Sequence, residues 1–134
     1  MRQRLEQLRS AILSKLPASR LEPLTESKLG QVLLRHPDLP DHLRQLFTVL
    51  GAGVIGDSRY AIHALLDPAE VYDAETARGL DGVVLVGDDF AGTCDAYDTK
   101  RGWKFGSIGA SGEFTEADGD LIDFLESWYG DATD

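Results

Sequence analysis

Cysteine is almost absent. The 134 residues hold one, Cys94, so no internal disulfide can form, and a reducing compartment is expected. Long hydrophobic runs are missing as well: none approaches the ~20 residues that span a bilayer. The N-terminus, Met1-Arg2-Gln3-Arg4-Leu5, is charged at once and lacks the apolar centre of a secretory signal. Positive charge is scarce in the second half. Residues 1–50 carry 8 Lys and Arg against 5 Asp and Glu, whereas residues 51–134 carry 5 against 18. A body this acidic repels nucleic-acid backbones and attracts basic partners, although the same charge also serves solubility. The expectation is a cytoplasmic monomer with no membrane segment and no direct contact with nucleic acid. The length suits one domain and is short for two.

Sequence signatures of catalysis and cofactor binding are also thin. Gly51-Ala52-Gly53-Val54-Ile55-Gly56 matches G-x-G-x-x-G, and Glu75 lies roughly where a dinucleotide fold wants an acid. Those glycines should open a helix after a strand. Here Leu43, Leu46, Phe47 and Leu50 before them fit a helical face, and Asp57-Ser58 after them is a turn signal. The expected role is a helix C-terminus and a tight loop, with no cofactor. Asp88, Asp89, Asp95 and Asp98 lack calcium-loop spacing, as does Asp118-Gly119-Asp120. His36, His42 and His63 are scattered, with no pairing that suits zinc. Cys94 has no nearby His or Lys in sequence to activate it, and Gly109-Ala110-Ser111-Gly112 is not a nucleophile elbow. No catalytic residue and no metal site is expected.

The periodicity that is present describes α+β. Leu5, Leu8, Ile12 and Leu16 recur at helical spacing, which predicts an amphipathic helix over Met1 to Leu16. Thr25 is a candidate cap for a second helix carrying Leu29, Val32 and Leu33, and Pro40 opens a third. Beyond Gly56 the pattern changes. Arg59 to Leu65 reads as a strand, and Asp67-Pro68-Ala69-Glu70 has the form of a capping box before a helix reaching about Ala77. Strands follow at Val83–Val86, Asp95–Asp98 and Trp103–Ile108. Thr115 is the expected cap of a final helix, Glu116 to Tyr129, whose apolar face holds Leu121, Ile122, Phe124, Leu125 and Trp128. Phe47, Leu85, Trp103 and Phe124 are the expected core, and Asp131 to Asp134 reads as a loose tail.

Three ordered blocks carry a family resemblance. The first is Leu39-Pro40-Asp41, then Leu43, Leu46, Phe47 and Gly51-Ala52-Gly53. The second is Tyr60-Ala61-Ile62-His63 with Leu66-Asp67-Pro68-Ala69-Glu70-Val71-Tyr72-Asp73. The third is Gly87-Asp88-Asp89-Phe90-Ala91-Gly92, then Tyr97-Asp98-Thr99, Trp103 and Phe124-Leu125-Glu126. Together they resemble the SUKH superfamily, which includes the yeast cell-wall-synthesis regulator and many bacterial immunity proteins. The resemblance covers residues 24–130 and leaves 1–23 as an N-terminal helical extension of one domain, 1–134. It implies a mostly antiparallel sheet with N-terminal helices and a C-terminal helix packed against it. It further implies a non-enzymatic immunity protein that neutralises a cognate toxin, often a nuclease. An intracellular regulatory or scaffold module is the competing class, and a nucleotide- or metal-dependent enzyme is third. The expected contact residues for a basic toxin are Asp88, Asp89, Asp95 and Asp98, placed by sequence at solvent-facing turns.

Overall fold

Every strand pairs with its neighbour in sequence. The computed structural model describes residues 1–130; the tail Asp131 to Asp134 lies outside the described residues. Strands β1 (Arg20–Glu22), β2 (Ala52–Ile55), β3 (Tyr60–Leu66), β4 (Val83–Asp88), β5 (Cys94–Asp98), β6 (Lys104–Ile108) and β7 (Phe114–Glu116) form one antiparallel meander in that order. Helices are α1 (Arg2–Lys15), α2 (Glu26–Arg35), α3 (Asp41–Gln45), α4 (Ala74–Arg78) and α5 (Leu121–Tyr129). The protein is therefore α+β, with a mostly helical first third and a C-terminal helix on the sheet.

Alternation along the central strands sorts the core into two layers. In β4, Val84 and Val86 face the larger one, while Val83 and Leu85 face the smaller. The larger layer joins Leu5, Leu8 and Ile12 of α1, Leu43 of α3, and Leu121, Ile122 and Leu125 of α5 to Ile62, Tyr97 and Phe105 of the sheet. The smaller layer, Leu80, Val83, Leu85, Cys94, Ala96 and Ile108, lies under the segment from Pro68 to Leu80. Both faces of β4 and β5 are thus covered, so neither strand has a solvent side.

Residues 1–23 are not an extension. Leu5, Leu8 and Ile12 are enclosed in the main core, and Arg20–Glu22 adds the first strand to the sheet. Burying each such side chain favours folding by about 1.5–3 kcal/mol, so α1 is part of the domain. The expected loop at Gly51 to Gly56 is also corrected. The helix does end there, through a π turn, Leu46–Leu50, closed by Gly51 N–H on the Leu46 carbonyl at 2.9 Å. Strand β2 then begins at once. The glycines are there for β1: a Cβ on Gly53 would sit 1.9 Å from the Arg20 carbonyl oxygen, and one on Gly51 2.5 Å from the Glu22 backbone. Close backbone approach explains the first two glycines, and a left-handed φ of +62° explains Gly56.

Thr115 does not cap the last helix. Phe114–Glu116 pairs with β6 as an edge strand, and α5 starts at Leu121. Asp120 is its cap, accepting from Asp123 N–H at 2.9 Å while the Asp123 carboxylate accepts from Asp120 N–H at 3.0 Å. Phe47 and Leu85 are enclosed as expected, whereas Trp103 and Phe124 are only half-buried. Trp103 keeps Nε1 at the surface, donating to Asp38 at 3.0 Å. Phe124 bridges the core rings of Tyr60 and Phe105 to the exposed ring of Trp128.

Candidate functional site

The four aspartates chosen from sequence separate into three environments. Asp88 and Asp89 stand at the β4–β5 loop. Asp88 Oδ1 accepts from Phe90 N–H at 2.8 Å, and Asp89 Oδ1 accepts from Ala91 N–H at 2.8 Å and Thr93 N–H at 3.1 Å. These bonds hold Phe90 in the left-handed region, φ +60°, with its ring 50% exposed. Such a backbone costs energy for any side chain but glycine, so the loop is fixed by its two carboxylates rather than by preference. Their second oxygens make no hydrogen bond among the described residues.

Asp95 is a correction. It is 6% exposed, on the inner face of β5, and accepts from Tyr60 Oη at 2.5 Å. The bond crosses Gly87 of β4, where a Cβ would lie 1.7 Å from that oxygen. Tyr60 therefore lies across the glycine to reach the next strand. Burial pushes the Asp95 carboxyl above its ordinary range; the Tyr60 hydrogen bond opposes this and the nearby Asp89 charge adds to it. Burial and the same carboxylate push the Tyr60 phenol up. Asp98 stands at the opposite end of β5. It caps the short 3-10 turn Thr99–Arg101, accepting from Lys100 N–H at 3.1 Å, with Arg101 Nε at 3.6 Å. Asp95 and Asp98 thus have structural roles, and Asp88 and Asp89 are half-buried groups that hold the β4–β5 loop.

An aromatic expected in the core lies near Asp89 instead. Trp128, expected on the buried face of the last helix, is 69% exposed. With Tyr129, Ser58, Arg59, Asp89 and, from the end of α1, Ile12, Lys15 and Leu16, it lines a shallow depression whose charged side chains are two cations and one carboxylate. Helical spacing gave no warning of this, because position 128 is i+7 from the buried Leu121 and i+3 from the buried Leu125; the helix reaches the edge of the sheet there. A second depression, on the other face, is lined by Glu75, Asp81, Asp98, Glu113 and Glu116. Lys100 contacts Asp81 there, and Arg101 lies 2.8 Å from Glu116.

The histidines occur in separate places. His42 Nε2 is 2.8 Å from Tyr97 Oη, and His36 packs edge-on against Trp103 with ring centroids 5.8 Å apart. His63 lies near Asp88, whose charge acts against burial. Burial pulls all three pKa values below the ordinary range. It also pushes the Cys94 thiol up, away from the thiolate that nucleophilic chemistry needs. Among the described residues no group of three or more His, Cys, Asp or Glu is placed to hold a metal ion. Nor is any described helix long and apolar enough to cross a membrane.

The fold and composition define an acidic α+β domain. No protein-family model matches the chain, and no curated protein or solved structure matches it.

Proposed function

We propose that this chain is a non-enzymatic, cytoplasmic protein-binding domain of the immunity type, acting as a monomer to occlude a basic toxin, in first place a nuclease. The observation that carries the reading is the exposed Phe90 on the carboxylate-fixed β4–β5 loop, with Asp89 of that loop sharing a surface depression with the exposed Trp128. Exposed aromatics held in place are the usual anchors of protein interfaces, and carboxylates around them steer a basic partner. The resemblance to the SUKH superfamily supports the same class. Nuclease sites are basic because they bind phosphate, so an acidic surface complements them.

Inhibition is the test. Where the gene directly upstream encodes a large protein, its C-terminal domain is the probe, assayed on nucleic acid with increasing amounts of this chain. Loss of nuclease activity that saturates at one equivalent is expected. Undiminished activity at tenfold excess contradicts the reading, and a neighbourhood with no such gene favours the second one, a regulatory module for an endogenous protein.

A further inference from the structure

We propose that His42, Tyr97 and the start of α5 form a pH-responsive latch, which fastens α3 and α5 over the sheet at neutral pH and loosens on acidification. The inference rests on where one buried proton goes. Tyr97 of β5 is 1% exposed. Its Oη accepts from Leu121 N–H at 2.9 Å, one of the first-turn donors that a helix leaves without an internal partner. The phenol proton then needs an acceptor of its own, and His42 Nε2 at 2.8 Å is the acceptor it has among the described residues. The neutral imidazole therefore carries its proton on Nδ1. A protonated imidazole donates from both nitrogens. Oη would then face two donors, and its own proton would be left unpartnered inside the protein. Because the three groups belong to α3, β5 and α5, one protonation loosens both contacts at once.

The charges around His42 oppose this. Asp41 precedes it on α3, and Asp120 and Asp123 face it from the start of α5, all three favouring the imidazolium. Arg4 of α1, 2.6 Å from Asp123, takes up part of that charge. Burial is the larger influence and keeps the imidazole below its ordinary pKa, while Tyr97 stays a phenol because burial raises its own. A lowered value in the fold means that the unfolded chain takes the proton first. The latch contributes fully above about pH 6.5 and is lost as the pH falls from there through the folded-state value.

Histidine NMR and amide exchange on the whole purified chain test this. At pH 8 His42 should carry its proton on Nδ1. The Leu121 protection factor, taken relative to that of a core β4 amide, should fall roughly tenfold or more between pH 8 and pH 5. His42→Gln offers a carbonyl that accepts the phenol proton and does not titrate, so it should keep Leu121 protected at both pH values. Tyr97→Phe should leave Leu121 equally unprotected at both. A proton on Nε2 at pH 8, a wild-type ratio unchanged by pH, or a His42→Gln protein that still loses protection in acid would each overturn the latch. If Tyr97→Phe does not fold, the tautomer and the His42→Gln comparison decide.

Discussion

Asp95 shows what a single residue takes from its surroundings. By sequence it is one of four carboxylates near turns; in the fold it is enclosed and bonded to Tyr60 across Gly87. Its raised carboxyl pKa gives a prediction with a definite sign. A carboxyl that holds its proton more tightly in the fold than in the unfolded chain gains stability as the pH falls from the folded-state value toward the unfolded value of about 3.9. Urea unfolding of wild type and Asp95→Asn, measured from pH 7 to pH 4, should show the wild type gaining on the variant as the solution becomes more acid. Parallel curves would mean that Asp95 is as hydrated as a surface carboxylate. The sequence did hold a clue. Tyr97 shares a face with Asp95 two residues away, and a strand position in step with a core tyrosine points inward. What it did not hold was the cover on both faces of β5, which comes from segments far away in the chain.

At the scale of elements, the central strands and long helices were legible, while the edges were not. The segments over β3 to β6, α1 and α2 carry their own period, and each was placed within a few residues. Strands β1 and β7 have three residues each, and β2 has four. Elements that short lack a pattern of their own; pairing with a longer neighbour makes them strands. The start of α5 was misplaced for the same reason, because Thr115 looks like a cap until β6 claims it. Two substitutions separate the alternatives. Asp120→Ala should cost about 0.5–2 kcal/mol, the usual loss for a removed N-cap, and Thr115→Ala on the exposed edge should stay within about 0.5 kcal/mol. Chemical denaturation reads both, and the reverse order would return the cap to Thr115.

On the scale of the whole molecule, charge and shape point the same way. The acidic residues 51–134 supply six of the seven strands, and at one end of them Asp89 of the loop that carries the exposed Phe90 shares a depression with the exposed Trp128. Of the four aspartates read from sequence, two are half-buried in the β4–β5 loop with Phe90 next to them in the chain, while the approach of Trp128 to Asp89 became visible only once the distant elements had come together. Association kinetics with a toxin domain that this chain inhibits, as the proposed function requires, test the central claim most directly when run across a salt series. Asp88→Asn combined with Asp89→Asn keeps the acceptors that fix the loop and removes both charges. This variant should associate several-fold more slowly than wild type at low salt, with a shallower salt dependence, while Phe90→Ala should mainly speed dissociation. Wild-type on-rates, off-rates and salt slope in both folded variants would contradict the account and remove this end of the sheet from the binding surface.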